Sequence, residues 1–117
     1  DEDGYFRYQA RSDDMIISAG YNIAGPEVEI SLLEHPAVRE CGVVGAPDSE
    51  RGFIVKAFVV LADGITGDAA LKKELQDHVK RNLATYKYPR EIEWIAALPK
   101  TESGKLKRSA LRDIVRE

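Results

Sequence analysis

A single cysteine in 117 residues, Cys41, can close no disulfide within the chain, which excludes a small scaffold stapled by internal disulfides. Its neighbours Gly42, Val43 and Val44 mark a buried strand with a structural thiol, and a reducing cytoplasm is the expected location. No apolar run approaches the roughly 20 residues that cross a bilayer. A soluble protein with no membrane span is therefore expected, and Asp1-Glu2-Asp3-Gly4 is the reverse of a charged-then-apolar signal peptide. Basic charge is not in excess: 17 Lys and Arg stand against 20 Asp and Glu, a net charge of −3. That balance argues against a dedicated nucleic-acid binder. The two histidines, His35 and His78, have neither metal-ligand nor triad spacing, so they are expected as surface or cap residues and no metal site is expected. Repeats and low-complexity segments are absent.

What is present, 44% hydrophobic and 32% charged residues, suits one ordinary domain with one modest core and leaves no chain for a second. Tyr5, Phe6 and Tyr8 form a short aromatic strand behind the Asp3-Gly4 turn. Three bulky aromatics so early need a partner surface, and residue 1 is read as an interior point of a longer polypeptide. Residues 15–18 and 21–23 flank Ala19-Gly20 as a hairpin. Gly25-Pro26 opens a helix: Pro26 suits the first helical position, Glu27 and Glu29 the positive end of the dipole, and Val28, Leu32 and Leu33 share a face. His35-Pro36 ends it. Strands rich in β-branched residues over 38–45 and 53–61 are expected to pair antiparallel across the turn at 47–52. Over 68–83, Leu71, Leu75, Val79 and Leu83 recur every four residues as an amphipathic helix. Residues 91–95 form a last strand, and 107–115 a closing helix with Leu111, Ile114 and Val115 inward. The class is α+β, a small antiparallel or mixed sheet plus a hairpin, with three helices packed on it.

Polar, glycine-marked segments remain unexplained by this core pattern: Ala10-Arg11-Ser12-Asp13-Asp14, Ser18-Ala19-Gly20-Tyr21-Asn22-Ile23, Gly25-Pro26-Glu27-Val28-Glu29, and Pro99-Lys100-Thr101-Glu102-Ser103-Gly104-Lys105-Leu106. Tyr86-Lys87-Tyr88-Pro89-Arg90 and the turn at 47–52 are weaker companions. Singly, each is ordinary. Arg11 and Asp13 read as a solvated surface pair, Lys105 as an exposed lysine, and Gly20 as a hairpin glycine with positive φ. Together and in this order they resemble the C-terminal domain of the adenylate-forming enzymes, which include acyl-CoA synthetases, peptide-synthetase adenylation domains and firefly luciferase. The resemblance covers essentially the whole chain.

The resemblance implies a two-step reaction in which an acid and ATP give an acyl-adenylate, and the CoA thiol then displaces AMP. Lys105 matches the family's catalytic lysine, and a point-charge ammonium on a flexible stem suits an α-phosphate and a carboxylate brought together. Arg11, with Lys105, would bind nucleotide; Asp13 would be the hinge. Ser18, Ala19, Gly20 and Tyr21 would line the pantetheine tunnel, and Lys87, Tyr88 and Arg90 would contact the CoA nucleotide by charge and stacking. ATP or AMP and Mg would be held mainly by a larger N-terminal domain of the same polypeptide, which is the implied partner, along with a small carboxylic acid and CoA. Residues 1–10 would end the linker from that domain and 11–117 form the mobile one. Lys105, reactive and loop-borne, is also a candidate for acetylation. Ala10 departs from the usual glycine and Ile17 from a common lysine. The segment 12–23 is similar to benzoate-type and 2-aminobenzoate-type CoA ligases, and somewhat to medium-chain fatty acyl ones. Loading of a carrier protein, or a stand-alone interaction module without catalysis, are the rival readings.

Overall fold

A computed structural model describes residues 15–18 and 20–116. The expected aromatic strand at Tyr5, Phe6 and Tyr8, the linker, Arg11, Asp13 and Ala19 lie outside the described residues. Two short strands open the fold, β1 (Met15–Ser18) and β2 (Tyr21–Ala24), paired antiparallel with Ser18 opposite Tyr21. Gly20 turns the chain between them at φ 87°, a conformation in which a Cβ is disfavoured. Helix α1 (Gly25–Leu33) follows at once, with Pro26 in its first turn, where the missing N–H is harmless.

Strands β3 (Val38–Asp48) and β4 (Gly52–Leu61) pair antiparallel over nearly their full lengths. Asp48 closes their turn, its Oδ2 accepting from the N–H groups of Glu50 and Arg51 at 3.1 and 3.0 Å. Helix α2 (Ala69–Asn82) is capped by Asp68, whose carboxylate accepts from Leu71 N–H at 2.8 Å. After a 3₁₀ turn at Thr85–Lys87, β5 (Glu91–Trp94) joins the far side of β4 in parallel, and α3 (Arg108–Arg116) closes the described chain. The sheet order is β3-β4-β5 and the sheet is mixed.

Alternation along β3 and β4 divides the interior into two layers. Cys41, Val43, Val55, Ala57 and Val59 join Val28, Leu32, Leu75 and Val79 of α1 and α2, whereas Val44 and Phe58 meet Leu111 of α3 with Leu98, Leu106 and Val115 around them. A sheet covered on both faces explains the nearly unbroken apolar run of β4. Ile114, expected inward, is 45% exposed. At about 100° per residue, Arg108, Leu111 and Val115 fall within about 60° of one another, and Ile114 lies on the far side of Leu111.

The histidines also differ from expectation. His35 lies in the turn after α1, its Nδ1 accepting from Ala37 N–H at 3.1 Å, but its ring is only 12% exposed and its Nε2 pairs with Glu74 of α2. His78 Nε2 meets the Ser31 carbonyl at 2.8 Å, and the two rings stand edge to face with centroids 5.4 Å apart. They form a clasp between α1 and α2.

Candidate functional site: a lysine loop and a glycine hairpin

The lysine-bearing loop is held by its own backbone. Lys100 and Leu106 form an antiparallel bridge; Lys107 N–H donates to Pro99 O at 2.9 Å, Thr101 N–H to Lys105 O at 2.8 Å, and Gly104 N–H to Thr101 O at 2.9 Å. Gly104, at φ 87°, makes that reversal possible. The Thr101 hydroxyl tightens the turn by accepting from Lys105 N–H at 3.2 Å and meeting Ser103 Oγ at 3.0 Å. The Lys105 side chain is thus carried to solvent from a small braced ring, and among the described residues it meets no carboxylate.

Two ion pairs tether this ring, one to β3 and one to α1. Lys100 Nζ lies 2.8 Å from Glu40 Oε1 on β3. Beyond the loop, Arg108 clamps Glu29 of α1 through both Nε, at 3.0 Å, and Nη2. Glu29, expected only as a favourable charge near the start of α1, is 7% exposed, and its Oε2 also accepts from Val43 N–H at 2.8 Å. β3 is an edge strand, so this carboxylate satisfies an edge donor while joining the helical layers on both faces of the sheet. Cys41 sits beside it, its Sγ 3.5 Å from the Glu29 carbonyl. Burial, and then the Glu29 charge, push the Cys41 thiol up to about 12 against the opposing effect of Arg108. The thiol is structural, as expected. Sequence signals for the Glu29–Arg108 pair did exist: Glu29 adjoins Val28 on the inward stripe of α1, and Arg108 precedes Leu111 by one turn.

Of the residues expected at the second face, Ser18 is buried, whereas Gly20 and Tyr21 are exposed at the hairpin tip. Tyr21 stacks on Tyr86, with centroids 4.3 Å apart and planes 20° from parallel, a contact the sequence did not announce. This stack joins the hairpin to the segment carrying the other expected CoA contacts. There Tyr88 meets two cations, with Lys80 Nζ 4.3 Å and Arg90 Cζ 4.9 Å from its ring centre. Lys87 is committed to Glu27 Oε1 at 2.5 Å, and Gln76 holds the Pro89 carbonyl at 2.9 Å. The domain therefore presents an exposed ammonium on one braced loop and an aromatic, cationic surface beside a glycine tip. Among the described residues no three His, Cys, Asp or Glu converge to hold a metal ion.

Residues 27–105 match the AMP-binding enzyme C-terminal domain. The chain is 56% identical over 114 residues to acyl-coenzyme A synthetase ACSM3, mitochondrial, of Rattus norvegicus, a match covering 96% of this chain and 20% of that protein. It is 54% identical over 112 residues to the uncharacterized acyl-CoA ligase YtcI of Bacillus subtilis (strain 168), covering 96% of this chain and 21% of that one. Among solved structures, the Brucella canis acyl-CoA synthetase superposes with a TM-score of 0.87 at 51% identity, covering 92% of this chain and 20% of that one. The anthranilate CoA ligase AuaEII in complex with anthranoyl-AMP gives 0.83 at 43% identity, covering 90% and 20%. The chain spans about a fifth of the length of the curated relatives it matches.

Proposed function

Because this chain belongs to the AMP-binding enzyme C-terminal domain family, we propose that it is the mobile small domain of an ATP-dependent acyl-CoA ligase. The observation that carries the reading is Lys105: an exposed ammonium on a short loop braced by three backbone hydrogen bonds and a threonine hydroxyl. In the first step a carboxylate oxygen attacks the α-phosphate of ATP and the bond to pyrophosphate breaks, leaving an acyl-adenylate. Negative charge crowds at the phosphorus as two anions meet, and Lys105 offsets it without giving up a proton. In the second step the CoA thiol attacks the acyl carbonyl and AMP departs.

The hairpin tip serves that second step. Gly20 has open space around its Cβ position, which suits the passage of a thin pantetheine arm, with Ser18, Ala19 and Tyr21 beside it. Tyr88 and Arg90 offer stacking and charge to the CoA nucleotide, and Lys87 does so once released from Glu27. Arg11 would contact ATP, and Asp13 would be the pivot between the two steps. ATP and Mg are assigned mainly to a larger domain of the same polypeptide. Lys105, exposed and paired with no carboxylate among the described residues, would also accept an acetyl group.

The acid is chosen outside this chain. Likeness to an anthranilate CoA ligase supports an aromatic acid such as benzoate or 2-aminobenzoate, whereas the relatives of higher identity are named only for an acyl group. Competition of benzoate against a medium-chain fatty acid, in the enzyme carrying this chain, decides between them.

The central test uses that enzyme with Lys105→Ala. Pyrophosphate release from ATP and acid should fall about 100-fold or more, the scale for loss of a preorganised electrostatic group. Thioester formation from a supplied acyl-adenylate should largely survive. Equal falls in both half-reactions would give Lys105 a structural or shared role and refute the assignment.

A further inference from the structure

The two anchors of the lysine loop are not equivalent. Lys100–Glu40 is a surface pair, with side chains 42% and 35% exposed, and such pairs constrain weakly. Arg108–Glu29 is sheltered, with side chains 23% and 10% exposed, and it is a two-pronged guanidinium–carboxylate contact whose carboxylate is itself held by Val43 N–H. A buried ion pair seldom stabilises a fold more than apolar side chains of the same volume would. What it supplies, and apolar packing does not, is direction.

That direction bears on Lys105. Arg108 follows it by three residues, a backbone reach of at most about 11 Å. Between them Leu106 is seated over Gly42 of β3, where a Cβ would come within 3.2 Å of its methyl groups, and Lys107 is tied to Pro99. With its guanidinium fixed, Arg108 sets where the loop leaves the sheet and hence where the ammonium is delivered.

We infer that Glu29 is a positioning residue for Lys105, acting through its two-pronged pair with Arg108 to fix the loop for adenylation but not for thioester formation. The inference rests on the ligase reading above. The carboxylate contributes by charge and by fork geometry together, so a side chain that keeps only one of them holds the loop less well. Neither Glu29 nor Arg108 touches substrate in this assignment.

The test uses the complete enzyme carrying this chain, with Glu29→Gln, Arg108→Lys and each combined with Lys105→Ala. Glu29→Gln should lower single-turnover pyrophosphate release about tenfold, a fraction of the roughly 100-fold that a 1 Å misplacement costs. The effect should fall on kcat rather than on KM for ATP, and thioester formation from supplied acyl-adenylate should stay within about twofold. Arg108→Lys, which keeps the charge and loses the fork, should give a smaller loss in the same half-reaction, and it decides the matter if Glu29→Gln does not fold. In the Lys105→Ala background neither change should add a further loss. Losses that multiply in that background, or fall equally on both half-reactions, overturn the positioning role while leaving the ligase intact. Absence of both half-reactions in the unmutated enzyme overturns the ligase reading, and this inference with it.

Discussion

At the scale of single residues, Cys41 illustrates how burial turns a reactive group into an inert one. The thiolate is the reactive form, and a thiol pushed from 9.0 to about 12 by burial and the neighbouring Glu29 charge is almost wholly protonated in the native state at neutral pH. The chain should therefore react with iodoacetamide near pH 8 only as fast as it unfolds, and stoichiometrically in urea. The same shift has a sign in stability. Between 9.0 and about 12 the unfolded thiol ionises while the folded one keeps its proton. The contribution is complete below 9.0 and is lost as pH rises towards the folded value. Urea titrations should show a steeper alkaline loss for the wild-type chain than for Cys41→Ala. Identical alkaline limbs would show that Cys41 is not the titrating group.

At the scale of elements, two glycines play opposite parts. Gly20 is needed for its backbone: φ is 87° and a Cβ would meet nothing within 4 Å, so substitution strains the hairpin without crowding it. Gly42 is needed for its size. A Cβ there would stand 2.5 Å from Leu111 Cδ1 and 3.2 Å from both Leu106 methyl groups, and Leu111 is fully buried with nowhere to retreat. Gly42→Ala should destabilise the chain by about 1–3 kcal/mol through overpacking, read from the urea midpoint at unchanged slope. A midpoint equal to wild type would mean that α3 slides on β3 at no cost. The hairpin, α1 and the β3–β4 pair were legible because their signals are local: a glycine turn, a proline at a helix start, and β-branched runs around Asp48 and Gly52.

At the scale of the molecule, the two apolar layers on a shared sheet supply a complete interior, with Phe58, Leu75, Leu111 and Val59 fully buried. The 117-residue chain should therefore fold alone and unfold cooperatively in urea. Under the two-domain proposal it should be inactive alone, so incubation with ATP and benzoate should release no pyrophosphate above the blank. Turnover by the isolated chain would sink the two-domain reading. Ile17, Tyr21 and Tyr86 remain exposed around the hairpin, on the face assigned to the second half-reaction.

Periodicity and turn chemistry were enough to specify which of the described segments become helices and strands, that the sheet is small, that Cys41 is buried, and which loop presents Lys105. Each depends on neighbours within a turn or a strand, where spacing along the chain is spacing in space. The parallel placement of β5 beside β4, the Tyr21–Tyr86 stack, the His35–His78 clasp and the outward turn of Ile114 were decided only when the layers assembled. The Glu29–Arg108 pair is the clearest case. Its members stand 79 residues apart, and although the inward stripes of α1 and α3 place each side chain near the interior, no local signal joins the one to the other. Only the position of β3 at that edge, with a helix on either side, brings the carboxylate, the Val43 N–H and the guanidinium to one point.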